Sequence, residues 1–127
     1  MGRSRSSAKQ AGSLFESQVA GFLADALDDD RIERRARNGS KDRGDVSGVR
    51  TIDGQRVVLE CKDYGGRLLP AQWINEAEIE RGNDDAAVGV VVAKRRGFGT
   101  KQMGGQYVML TLNDLAVLLG GTRTEGN

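Results

Sequence analysis

Two short β-prone stretches, Asp45-Val46-Ser47-Gly48-Val49 and Val57-Val58-Leu59-Glu60-Cys61-Lys62, flank Ile52-Asp53-Gly54-Gln55. Asp-Gly between such stretches predicts an antiparallel hairpin with a two-residue turn. A pivot between Asp53 and Gly54 sets Asp45 opposite Lys62, Ser47 opposite Glu60 and Val49 opposite Val58, and all six then share one face. Asp45 and Glu60 become diagonal neighbours, roughly 7–8 Å apart at their backbones, so both carboxylates can reach one ion. The other face of the second strand carries Val57, Leu59 and Cys61, a core face on which Cys61 packs as a small hydrophobe.

Elsewhere the periodicity changes. Residues 1–12 are Ser, Arg, Lys and Gly without a repeat and read as a flexible basic arm. Ser13-Leu14-Phe15-Glu16 matches a capping box, and Phe15, Val19, Phe22, Leu23, Ala26 and Leu27 recur at helical spacing up to the stop Asp28-Asp29-Asp30. Arg31 to Arg37 alternates weakly, as a polar strand does. Pro70 suits the first turn of a helix that carries Trp73, Ile74 and Ala77 on one side and ends near Gly82. That side is a packing face; were it exposed, it would be a dimer face instead. Ala86 to Ala93 is continuously apolar, as in a central strand covered on both faces and entered in parallel through a crossover helix. A Gly-rich basic loop follows over Arg95 to Gly105, then a strand over Gln106 to Leu110 and a short helix over Asn113 to Leu119. The fold class is α/β, a mixed central sheet flanked by helices in the order αβββαββα. It forms one domain over residues 13–121, with 122–127 as a disordered tail.

Composition narrows the chemistry. With 127 residues the chain supports one core. No apolar run approaches the roughly 20 residues of a membrane span, and the basic, Ser-rich start lacks the apolar stretch of a secretory signal. The expected location is the cytoplasm, or the host cytoplasm for a viral source. A single cysteine excludes an internal disulfide, and the absence of histidine excludes imidazole zinc sites and His-based triads. Any metal must therefore sit on oxygen ligands, which favours magnesium or manganese. The net charge is only +1, yet it is unevenly spread. Basic clusters lie at Arg3 to Lys9, Arg31 to Arg43 and Lys94 to Lys101, whereas Glu76 to Asp85 is acidic.

Asp45, Glu60 and Lys62 could form an ordinary surface salt-bridge network. The second, diagonal acid instead favours a divalent cation, because charges near a core need pairing or a metal. Carboxylates that hold such an ion, with a lysine beside the attacking water, fit phosphodiester hydrolysis.

Asp45 followed by Glu60-Cys61-Lys62 resembles the D…(D/E)-x-K motif of the PD-(D/E)XK nuclease superfamily, and the order of elements is similar as well. Within that superfamily, four stretches resemble the archaeal-type Holliday junction resolvases. They are Gly12-Ser13-Leu14-Phe15-Glu16, Asn38-Gly39-Ser40-Lys41, Val58 to Lys62, and Gln72 at the start of the next helix, so the likeness covers roughly residues 12–115. The resemblance implies a restriction-endonuclease-like core. It implies that Asp45, Glu60 and the backbone carbonyl of Cys61 ligate Mg2+, with Mn2+ able to substitute, and that Lys62 serves the attacking water. Glu16 would complete the acidic cluster unless its capping role claims it. Ser40 would lie near the scissile phosphate, and Gln72 would orient Lys62 or touch phosphate. The motif's proline is absent, since Gly44 precedes Asp45.

The expected protein is a structure-selective endodeoxyribonuclease that leaves 5′-phosphate and 3′-hydroxyl ends. By resemblance it is a resolvase of branched DNA in recombination and repair, acting as a homodimer without an organic cofactor or a membrane. Arg34, Arg35, Arg37, Lys41 and Arg43, with Lys94, Arg95, Arg96 and Lys101, would grip the DNA backbone without reading bases. The alternatives are a restriction-type, repair or flap nuclease of the same fold, and a non-catalytic DNA-binding protein whose acidic cluster is structural.

Overall fold

The computed structural model of the chain describes residues 4–35 and 44–124. Helix α1 (Arg5–Leu27) is followed by β1 (Glu33–Arg34), β2 (Val46–Ser47), β3 (Val57–Lys62), α2 (Pro70–Asn83) and β4 (Val88–Ala93). A 3-10 stretch (Thr100–Gly105), β5 (Tyr107–Met109) and α3 (Leu112–Leu118) complete it. The strands form one mixed sheet in the order β1-β2-β3-β4-β5, antiparallel except for the parallel β3–β4 pair joined by α2. The fold is α/β with flanking helices. Among the described residues, no helix is long and apolar enough to cross a membrane.

β4 is buried along its whole length because both its faces are covered. Val88, Val90 and Val92 join Phe15 and Val19 of α1 with Val46, Val57 and Leu59, while Val91 and Ala93 meet Trp73 and Ala77 of α2. Trp73 is fully enclosed, so that helix face packs inward rather than offering a dimer surface. Phe22 and Leu27, expected on the inner face of α1, are exposed.

Two terminal expectations are corrected. Residues 5–12 belong to α1, which Ser4 caps by accepting from the Ser7 N–H at 3.2 Å. The capping box at Ser13 does not form, and Ser13 lies inside the helix, its carbonyl accepting from the Ser17 hydroxyl at 3.1 Å. Arg, Ala, Lys and Gln are good helix formers, and a nucleated helix grows by one bond per residue. The extension is exposed over Arg5 to Gln10 and so shows no apolar period. The tail is tied down as far as it is described: Arg123 donates to the Ala87 carbonyl at 2.7 Å and pairs with Asp114, and the Thr124 N–H donates to Asn113 Oδ1 at 2.9 Å. Residues 1–3 and 125–127 lie outside the described residues.

The hairpin register departs from expectation twice, and the two departures cancel. The Gly54 N–H donates to Thr51 O at 2.9 Å and the Thr51 N–H to Gln55 O at 2.8 Å, so the loop has three residues and Arg50 pairs with Arg56. Gly54, at φ +84°, supplies the left-handed residue that such a loop needs. A one-residue shift alone would turn Asp45 to the opposite face. Farther along, however, Val46 pairs with Leu59, so β2 holds one extra residue between Val46 and Arg50. The bulge lies at Gly48, at φ +85°, where a Cβ would come 2.6 Å from the Arg31 carbonyl oxygen. Beyond Val46 the regular pairing ends: the Asp45 N–H donates to Leu59 O at 2.8 Å, so Asp45 does not stand opposite Lys62, yet it lines the same cleft as Glu60 and Lys62.

Candidate active site

The face of β3 that carries Glu60 and Lys62 looks toward α2, whereas Leu59 and Cys61 pack toward α1. At the end of β2 it opens into a cleft of about 430 Å³ lined by Asp45, Glu60 and Lys62 from the hairpin and by Glu76 and Glu80 from α2. Glu16 of α1 and Arg34 and Arg35 close its rim.

The Asp45 carboxylate accepts the Cys61 N–H at 2.7 Å, which locks the acid onto β3. Glu60 is only 6% exposed. Its Oε1 lies 3.2 Å from Lys62 Nζ, while Oε2 is buried without a hydrogen-bond partner among the described residues. A buried carboxylate oxygen left open in this way is costly, and a bound cation would relieve it. Lys62 Nζ also donates to Glu76 Oε2 at 2.7 Å, and Glu76 Oε1 accepts from Gln72 Nε2 at 3.2 Å. Burial works against the charged form of Lys62. The Glu76 hydrogen bond and the Glu60 charge outweigh it and hold the ammonium above the ordinary lysine range.

Cys61 is poorly suited to be a nucleophile, because burial, reinforced by the Asp45 and Glu16 charges, pushes its thiol up. Its backbone suits ligation better. Lys62 O takes the N–H of Lys94, just beyond β4, whereas the Cys61 N–H faces Asp45, so strand alternation directs the Cys61 carbonyl to the same β2 side. Glu16, free of any capping duty, pairs with Arg34 Nε at 3.1 Å. Among the described residues no group of three or more Cys, Asp or Glu side chains is already gathered as a metal cage. The donors at the cleft are all oxygens, and magnesium takes one or two carboxylates with water in its other positions.

Of the expected site residues, Glu16, Asp45, Glu60 and Lys62 meet at one cleft, and Gln72 touches it through Glu76. Ser40, Arg37, Lys41 and Arg43 lie outside the described residues. Arg34 and Arg35 stand at the rim. Lys94 and Arg95 differ from the free basic grip expected of them. Lys94 donates to the carbonyls of Arg95 and Phe98, and the Arg95 guanidinium lies 4.0 Å from the Phe98 ring centre and 5.2 Å from that of Tyr107. Arg96 and Lys101 are exposed. Glu76 and Glu80 are the functional candidates that the sequence reading missed. Their signal was available, since Gln72, Glu76 and Glu80 recur every four residues beside the buried Trp73 and Ala77.

No family model, curated protein or solved structure matches this chain.

Proposed function

We propose that the protein is a metal-dependent DNA endonuclease with a restriction-endonuclease-like core, cutting branched DNA as a homodimer in the manner of a Holliday junction resolvase. The observation that carries this reading is the meeting of Asp45, Glu60 and Lys62 at one cleft, with one Glu60 oxygen buried and without a hydrogen-bond partner among the described residues. Asp45, Glu60 and the Cys61 carbonyl would hold Mg2+ or Mn2+, and Glu16 would join them on leaving Arg34. A divalent ion there supplies an activated water and neutralises charge on the phosphorane.

The chain's own residues do the rest. Lys62, steadied by Glu76, orients the attacking water and faces the oxygen on which charge develops. Gln72 steadies Glu76. Arg34 and Arg35 meet the strand at the rim. The non-catalytic alternative draws support from the same ammonium, which already has two carboxylate partners without any ion.

Labelled four-way junction, flap, single-stranded and duplex DNA, each incubated with magnesium and with chelator, tests the reading. Magnesium-dependent cutting of the junction in preference to duplex is expected. Asp45→Asn should abolish cutting while retaining DNA binding. Equal cutting of junction and linear duplex would favour a restriction-type or repair nuclease. No cutting of any substrate, with Asp45→Asn indistinguishable from wild type, would overturn the enzyme.

A further inference from the structure

A second, smaller hollow of about 140 Å³ lies beside the acidic cleft, and Arg35 lines both. Arg50 and Arg56 complete its basic wall, with Asp84 at its base. Arg50 and Arg56 are bridge partners on adjacent strands, so two like charges face each other, an arrangement that disfavours the bare hairpin. The one carboxylate of the hollow, Asp84, is buried and stands at salt-bridge rather than hydrogen-bond distance, 3.8 Å from Arg35 Nη1 and 3.9 Å from Arg56 Nε. The lining of the hollow thus carries three guanidinium groups and one carboxylate. Arg56 is fixed in place, its Nη2 donating to the Asp84 carbonyl at 2.6 Å and to that of Asp85 at 3.4 Å. The Arg50 side chain donates to the Gly54 carbonyl of the turn at 3.0 Å.

We propose that this hollow is a phosphate subsite, binding one backbone phosphate of a nucleic-acid strand whose scissile bond lies in the acidic cleft. A planar guanidinium presents paired donors that match phosphate oxygens, and a small polar hollow walled mainly by arginine suits an oxyanion. Arg56, just before β3, precedes Glu60 by four residues, a separation of about 13 Å along an extended chain. One strand of DNA advances about 3.4 Å per phosphate, so the two positions are a few nucleotides apart on a strand that follows β3. The proposal rests on the nuclease reading for its choice of ligand, but its test reads binding.

Arg50→Gln and Arg50→Glu leave the anchored Arg56 untouched. Arg31→Gln, which removes an exposed charge paired with Asp29, controls for net charge. Anisotropy of a labelled duplex in chelator, across a salt series, should show Arg50→Gln binding about 3–10-fold more weakly, with the log–log salt slope reduced by about one. Arg50→Glu should bind more weakly still, and Arg31→Gln as wild type. Inorganic phosphate should raise the melting temperature of wild type but not of Arg50→Glu. Wild-type affinity and slope in both Arg50 variants overturn the subsite. A phosphate shift lost in Arg50→Glu with an unchanged DNA slope overturns the backbone assignment and leaves a site for free phosphate. Lost DNA binding in the Arg50 variants, in a protein that never cuts, overturns the nuclease alone.

Discussion

Replacing Gly48 with alanine probes how the bulge supports the site. A residue with a Cβ costs about 1–2 kcal/mol in the left-handed conformation that Gly48 adopts. The added carbon would also meet the Arg31 carbonyl oxygen at 2.6 Å. A backbone atom cannot swing aside, so β1 must move away from β2, and overpacking of that kind costs about 1–3 kcal/mol. The two terms give a loss of about 2–5 kcal/mol. Unfolding entropy near 2.1 cal/mol/K per residue becomes about 0.27 kcal/mol/K over 127 residues, so Tm should fall by about 7–19 °C. Gly54→Ala is the internal control. It shares the backbone angle, at φ +84°, but nothing lies within 4 Å of its added carbon. Only the backbone cost applies there, about 4–7 °C. Thermal melts of the three proteins followed by circular dichroism decide the matter. Equal melting of the two variants would remove any role for the Arg31 contact and refute the reasoning.

Glu76→Gln should slow magnesium-dependent cleavage about 10–100-fold through kcat with KM little changed, and Gln72→Ala less, because each acts through Lys62; single-turnover rates check this, and a pure KM effect would contradict it. Arg123→Ala leaves Asp114, 0% exposed, without its ion partner. It should destabilise by about 3–5 kcal/mol in denaturant titration, and an unchanged midpoint would show the clasp to be idle. Burial, with Asp114 beside it, raises the Glu78 carboxyl above its ordinary 4.5, so the folded state holds that proton more tightly than the unfolded chain. Its stabilising contribution is therefore present below 4.5 and lost as pH rises through the raised value. Glu78→Gln should accordingly be more stable than wild type near neutral pH and lose that advantage below 4.5, as urea midpoints at the two pH values would report.

Much of the sheet was legible because its signals are local. The unbroken apolar run ending at Ala93 can only be satisfied by cover on both faces, and Pro70 marks the start of α2. Lys62 shares a face with Glu60 in any strand. The overhang of α1 was not legible, because helix propensity without a sheet beneath leaves no apolar stripe. Nor was the bulge at Gly48, since Asp53-Gly54 is compatible with loops of two or three residues and only pairing with β1 and β3 decides between them. Glu80 lay within an acidic run that reads as solvated surface, and the close approach of α2 to β3 is what turns it inward. Arg95 looked like a free cation because nothing in the chain order announces that Phe98 and Tyr107 enclose it.

The bulge lets Val46 and Val49, three residues apart, both point into the layer under α1. A plain strand would send one of the two outward. Insertions within the ladder should therefore be poorly tolerated, whereas the turn around Gly54 can lengthen or shorten freely, because the pairing of Arg50 with Arg56 does not depend on how many residues lie between them.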